Sequence, residues 1–487
     1  MSLAQRFWLV LGAVLLATVI ALSVLGDRLL SGVTVPAAEL VRAASGVGDP
    51  YLPEAGGAGY DLLHYDVRVN AVALGKELRG TTTVTAVARQ DLDEFHLDLH
   101  LAARSVVVDG VAATFVQQES DLAITAARRQ PELPAIASGA GFVVTVVYDG
   151  DPSAITLHEA PGFYRLGKEF LIAGEPEAAA LWYPSNDHPR DPATMDFAIT
   201  VPRGQQAICA GRLIEHGADP DVPDADRWVW RIDAPTVTYA SFLAVGSYRI
   251  EQGDAGGRPF VYAVSTRLSS SRQTKALRWL RQTHGAVDKL EKYLGPYPFS
   301  GIGGFVPGME PVWGGLETAM NPIYHPRMVD SEMVLNHELA HMWLGDTITL
   351  TEWNDLFDNE SLASYADWLV TSGSSPAQNF DRYYRGWDWT PEFWTPALSD
   401  PGLKELFVRV YDRGPTAVHA LRNRMGDTVF FQFLRDWAQQ DAGPRSLEDF
   451  RRAADEATPE DLTGFFAEWL DQTDRPEPTR ANGVLTR

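Results

Sequence analysis

The sequence predicts an α+β chain in three parts: an N-terminal transmembrane helix, a β-sandwich-like all-β domain, and a mainly helical domain. Three observations predict it. Phe7 to Leu25 is an uncharged apolar run, apolar residues recur with a period of two from Tyr60 to about Ile250, and they recur at helical intervals after about Arg258. The boundaries so drawn are 1–30 for the membrane segment, 31–58 for a tether, 59–252 for the β-domain, 253–473 for the helical domain and 474–487 for a frayed polar tail.

The first element spans 19 residues, preceded by Arg6 and followed by Asp27 and Arg28. As a helix it reaches about 28 Å, roughly one hydrocarbon core. A cleaved leader has a shorter apolar region, around 7–15 residues, and a clear small-x-small site. Here Ala21-Leu22-Ser23 lies inside the run and Val24-Leu25-Gly26 at its end. The run therefore reads as an uncleaved anchor, with secretion after cleavage as the alternative. Arg6 and the amino terminus outweigh the neutral Asp27/Arg28 pair, which leaves the rest of the chain on the extracytoplasmic side. Gly, Ala and Pro make the following stretch a tether.

In the β-domain, Tyr65, Val67, Val69 and Ala71 alternate with Asp66, Arg68 and Asn70. Phe95, Leu97, Leu99 and Leu101 do the same around His96, Asp98 and His100, as do Trp228, Trp230 and Ile232 around Val229 and Arg231. Half-buried strands have this signature. His96 and His100 do not suit one ion, because four residues along a strand separate side chains by about 13 Å. They are expected on a solvated face. Cys209 lies in the strand-like run Gln206–Ala210 and is expected to pack.

Thr274–Leu294 reads as one helix, with Leu277, Leu280, Val287 and Leu290 at helical intervals, ended by Pro296-Tyr297-Pro298. Gly301–Gly315 is glycine-rich, but no Gly-Lys-Ser/Thr follows, which excludes a phosphate loop. From Ser331 the pattern is helical, apart from breaks at Pro391–Pro401 and Asp441–Pro444.

Composition narrows the chemistry. The 487 residues carry 41 Lys+Arg against 64 Asp+Glu, a net charge of −23, which excludes nucleic acid as a partner. With Cys209 alone there is no intramolecular disulfide and no cysteine-based zinc or iron–sulfur site. Any metal must be held by histidines and carboxylates.

Such a site stands on the helix after Ser331. Residues 336–345 read Asn-His-Glu-Leu-Ala-His-Met-Trp-Leu-Gly. His337 and His341 are one helical turn apart and share a face, so both imidazoles can grip one ion. Glu338 adjoins the first, within reach of a water at the metal. Met333, Val334, Leu335, Leu339, Met342 and Trp343 make the helix apolar on most sides, and buried histidines need a partner. Asp358-Asn359-Glu360-Ser361 supplies a third ligand, Glu360, with 18 residues between it and His341. That length suits a helix end, a connector through Thr349–Asp355, and a second helix returning Glu360 to the ion. Two histidines and a glutamate with an open fourth position form a catalytic zinc arrangement.

With these motifs in place, residues 60 to about 470 resemble the aminopeptidase N-like zinc metallopeptidases (gluzincins), relatives of the leukotriene hydrolases. The resemblance implies a thermolysin-like catalytic domain, one Zn²⁺ per chain held by His337, His341 and Glu360, and Glu338 as the base that activates the attacking water. The family's Gly-x-Met-Glu-Asn segment corresponds to Gly314-Gly315-Leu316-Glu317-Thr318. Glu317 is thereby implied to bind the substrate's free α-amine, and Gly314 and Gly315 to line the peptide. A second amine-binding glutamate matches Glu175 in Gly174-Glu175-Pro176, with Glu177 as the fallback. The catalytic tyrosine matches Tyr411, before Asp412-Arg413-Gly414, and Ser364 falls where such sites keep a group that orients a ligand.

Departures are Thr318 for the usual Asn, Leu316 for Met, and a degenerate Trp182–Pro189 segment. Only 76 residues follow Tyr411, whereas longer relatives carry a further C-terminal domain that roofs the site. The implied function is removal of N-terminal residues from peptides with a free N-terminus, outside the cytoplasm and on a membrane tether. The alternatives are an endopeptidase or other zinc hydrolase with an open cleft, and a non-catalytic binding or assembly protein.

Overall fold

A computed structural model describes residues 40–157, 161–386 and 391–485. It is a mixed α+β fold with a sheet-rich N-terminal part and a helical C-terminal part. Phe7–Leu25 lies outside the described residues, among which no helix is long and apolar enough to cross a membrane.

The largest sheet has eight strands, running from Arg212–Ala218 at one edge through Ala225–Thr236, Ala193–Pro202, Tyr60–Asn70, Leu78–Ala88 and Gly141–Gly150 to Ala102–Val108 and Val111–Ala112. Tyr60–Asn70 pairs parallel with Ala193–Pro202 and antiparallel with Leu78–Ala88. The period of two holds: Tyr65, Val67 and Val69 are buried and Arg68 is exposed. Four-stranded and three-stranded sheets complete this part. Trp230 of the large sheet donates its indole N–H to the Ala207 carbonyl of the four-stranded one at 3.2 Å. Cys209 ends the strand Gln206–Cys209 and is buried without a partner sulfur, as packing requires.

A five-stranded sheet carries the chain into the helical part. The strand Tyr248–Ala255 pairs only with Arg258–Ser265, which runs parallel to Ile302–Val306. The boundary expected at 252/253 therefore cuts a hairpin. The sheet continues through Ile323–Tyr324 to an edge strand, Gly315–Leu316.

Four other expectations are corrected. The helix expected over Thr274–Leu294 is two helices, Ser270–Leu280 and Thr283–Leu294. The Thr283 hydroxyl donates to the Leu280 carbonyl at the break, and both pieces bury the same apolar stripe, so periodicity did not register the break. His96 is buried rather than solvated, 2.7 Å from Asp121. Its strand is covered by the supposed tether: Ala43 N–H donates to the Glu94 carbonyl at 2.9 Å, and Gly56 N–H to Asp98 Oδ2 at 3.0 Å. Residues 40–58 are thus a packed strap and not a free tether. The tail is packed as far as it is described, with Val484 buried and Trp469 and Asn423 donating to the Asn482 and Gly483 carbonyls.

The helix Glu332–Ala340 is capped by the Ser331 hydroxyl, which accepts from Val334 N–H at 3.3 Å. It ends at His341, and the chain returns through the strand Ile348–Leu350 and a wide π-type turn, Phe357–Ser361, into the helix Leu362–Val370. Glu360 stands on that wide turn, just ahead of the helix proper.

Candidate active site

His337 Nε2 and His341 Nε2 lie 3.1 Å apart, and Glu360 Oε2 is 3.1 Å and 3.3 Å from them. Three donor atoms converge on one point, as the i, i+4 spacing and the connector length require. His341 Nδ1–H donates to Asn359 Oδ1 at 2.6 Å and to the Leu344 carbonyl at 2.9 Å, which leaves Nε2 with a free lone pair. Asn359 is held in turn by donating to Tyr239 Oη at 3.1 Å. Gly345 lets Asn359 approach: its φ is +126°, and a Cβ there would stand 2.4 Å from Asn359 Oδ1. His337 is held more loosely, with Ser364 Oγ 3.5 Å and Asp367 Oδ2 3.8 Å from its Nδ1.

The site is strongly acidic. Glu175, Glu317 and Glu360 place carboxylate oxygens within 4.8 Å of one another. Glu175 Oε1 and Glu317 Oε1 are buried, and among the described residues neither has a hydrogen-bond partner. Burial and then the Glu317 and Glu360 charges raise the Glu175 carboxyl well above its usual range. Burial likewise raises Glu317, and burial followed by Glu317 raises Glu338. Burial alone would lower His341, but the surrounding carboxylates, Glu317 first, raise it well above an ordinary imidazole. Glu360 runs the other way: despite burial, His341 and His337 hold it below the usual carboxylate range. A divalent cation answers this excess of negative charge, and the nitrogen and carboxylate donors fit zinc.

Glu338 points at the edge strand. A Cβ on Gly315 would lie 2.0 Å from Glu338 Oε1, so only glycine lets the strand pass over that carboxylate. Tyr411 stands on the open side, 42% exposed, with its hydroxyl donating to Glu360 Oε1 at 2.7 Å. The next turn is fixed by Arg413, fully buried, which donates to the Pro396, Trp469 and Gln472 carbonyls at 2.6, 2.9 and 2.6 Å and to that of Trp394.

His337, Glu338, His341, Glu360, Glu317 and Tyr411 line one cleft of about 600 Å³ with Gly314, Gly315, Ser364 and Glu175. Glu175, not the fallback Glu177, reaches it. Its loop is pinned by Asp187 of the degenerate segment, which accepts from Ala180 N–H and Thr238 Oγ1 at 3.1 and 2.6 Å. Thr318 lies off the cleft, closing a turn onto the Asn321 carbonyl at 2.8 Å. Sequence reasoning assigned no role to Asn359, Asp367, Arg413 or the wall formed by Leu403, Leu406, Phe407 and Val408. Asp367 lies two helical turns beyond Glu360 and was open to a periodicity argument; the wall offered no such signal.

Residues 324–469 match the model of the peptidase family M1 domain, a span that holds His337, Glu338, His341, Glu360 and Tyr411. The chain is 26% identical to an M1 zinc metallopeptidase from Deinococcus radiodurans solved as a variant bound to Tyr-Ser-Ala, with a TM-score of 0.77 over 89% of this chain and 100% of that one. The helical part of the chain thus carries a peptidase family M1 domain. A two-domain M1 zinc metallopeptidase bound to L-tryptophan also aligns with the chain at 26% identity and a TM-score of 0.78, over 89% and 100% of the two chains. Aminopeptidase N of Streptomyces lividans is 25% identical over 340 residues, 62% of this chain and 38% of its own length. The chain spans 38%, 43% and 51% of the lengths of the first three curated relatives.

Proposed function

We propose that this chain is a zinc-dependent aminopeptidase that removes N-terminal residues from peptides, with one zinc held by His337, His341 and Glu360. The observation that carries the reading is the pair of buried carboxylate oxygens, on Glu175 and Glu317, left without partners beside the ligand group. Two uncompensated carboxylates call for a cation between them, and a substrate ammonium supplies it. Binding an ammonium there sets the scissile carbonyl one residue away, at the ligand group.

Zinc, when bound, supplies Lewis acidity to the carbonyl and to the attacking water. The chain's own residues do the rest. Glu338 takes a proton from water as its oxygen adds to the carbonyl carbon, and returns it to the amine nitrogen as the C–N bond breaks. Tyr411 turns its O–H from Glu360 to the developing oxyanion, a contribution of order 10²–10³ in rate. The edge strand Gly315–Leu316 offers backbone groups to an extended peptide. Localisation on the extracytoplasmic side, held by Phe7–Leu25, is part of the same proposal and is supported by the uncharged run and its charge bias.

The test compares free and N-acetylated forms of one tripeptide. Acetylation is expected to cost at least about 10²-fold in kcat/KM, from two charge-assisted contacts. Equal cleavage of both forms would overturn the exopeptidase reading in favour of an endopeptidase.

A further inference from the structure

We propose that Tyr51 is a positioning residue for substrates that extend past the scissile bond, because its hydroxyl latches the cleft wall at residues 402–408. Tyr51 Oη donates to Asp400 Oδ1 at 2.5 Å and accepts from Gly402 N–H at 2.8 Å, across 349 and 351 residues of sequence. Leu403, Leu406, Phe407 and Val408, directly after Gly402, line the cleft.

The latch is itself held firmly. Asp49, two residues earlier, accepts from the Tyr51 and Leu52 amides at 2.7 and 2.9 Å. Its other oxygen accepts from Trp353 N–H at 2.8 Å and lies 3.0 Å from His188 Nε2. Asp49 thus nails the strap to the sheet-rich part and the helical part together.

The wall has few other ties. Before it, the Leu398 and Ser399 amides donate to the Leu470 carbonyl; after it, Arg409 donates to the Thr395 carbonyl. Between them, among the described residues, the remaining hydrogen bonds are local turns: Glu405 to Gly402, Leu406 to Leu403 and Val408 to Glu405. Leu406 alone of the wall is fully buried, Leu403 and Phe407 pack partly buried against the core, and Val408 is exposed. The two bonds of Tyr51 therefore set where the wall stands, above an apolar footing of Leu403, Leu406 and Phe407.

Tyr411 does not depend on the latch, since Arg413 and the Gly414 N–H bond to the Arg409 carbonyl fix the turn behind it. The proposed amine pocket is built by Glu175 and Glu317 on other segments, so loosening the wall should weaken the hold on the rest of the peptide and spare the chemical step. This rests on the aminopeptidase reading for its substrates, but not for the latch itself.

The experiment uses the full chain with zinc, as wild type, Tyr51→Phe, Asp400→Asn and the double variant. Two substrates are compared, a tripeptide and a single-aminoacyl chromogenic amide, alongside hydrogen exchange of residues 400–408. Tyr51→Phe is expected to raise the tripeptide KM at least about 3-fold, with kcat and the amide's KM within about twofold. Exchange across 400–408 should quicken by about tenfold. Asp400→Asn should move the same quantities in the same direction, and the double variant should be no worse than Tyr51→Phe. Unchanged exchange in Tyr51→Phe, or an equal loss on both substrates, would overturn the proposal. A wild-type chain that cleaves neither substrate would retire the aminopeptidase reading, and the exchange comparison would still decide the latch.

Discussion

The Tyr411 hydroxyl donates to Glu360 Oε1 at 2.7 Å, so the group proposed to stabilise an oxyanion is parked on a proposed zinc ligand. It must leave that oxygen to reach substrate, and its benefit arises only in the transition state. Tyr411→Phe is expected to lower kcat by about 10²–10³ with little change in KM. A change confined to KM would remove Tyr411 from the chemistry.

Glu338 is 5% exposed and points toward Gly315 rather than joining the ligand triangle. Glu338→Gln should therefore abolish turnover while elemental analysis still finds one zinc per chain. Loss of metal in this variant would make Glu338 a ligand instead of a base.

Asn359 aims His341 from behind. Asn359→Ala leaves the Leu344 carbonyl as the only partner of Nδ1, and zinc affinity should fall about 10-fold or more. Titration with a metal buffer, following the return of activity, measures this.

Glu317 and Glu175 share the acidic pocket unequally: Glu317 is on the edge-strand segment and is 3% exposed, whereas Glu175 arrives from the sheet-rich part and is half-buried. Glu317→Ala should remove most of the preference for a free over an acetylated amine, and Glu175→Ala a smaller share. Steady-state kinetics with the two tripeptides would reverse this ranking if Glu175 carried the recognition.

Asp49 gives a pH dependence of known sign. Burial alone would raise its carboxyl, but His188 and three backbone N–H groups hold it at about 2, below the ordinary 3.8. A group depressed on folding stabilises above its unfolded pKa, so the contribution, about 2 kcal/mol, is full above about pH 4 and lost as pH falls toward 2. Urea unfolding should show Asp49→Asn weaker than wild type at pH 7, with the gap closing on acidification below pH 4. A gap constant over that range would assign the loss to packing.

The sequence alone determined what depends on local spacing. His337 and His341 share a face because four residues make one helical turn, and the length of the return to Glu360 admits the third ligand. The alternation through Tyr65, Val67 and Val69 likewise settled the sheet, since a period of two admits one buried face. Local spacing failed where a distant segment covers a surface. His96 looked solvated because nothing near it in sequence reveals the strap at residues 40–58 lying over its strand.

Only the tertiary structure decided the rest. Glu175, Glu317 and Glu360 come from three segments, and their oxygens converge only after the sheet-rich part docks on the helical part. Asn359 needs the glycine at Gly345 to approach His341, and Tyr51 finds Asp400 across 349 residues. Periodicity records which face of an element is apolar. It carries no record of which elements meet, because those contacts are fixed by docking between segments far apart in the chain.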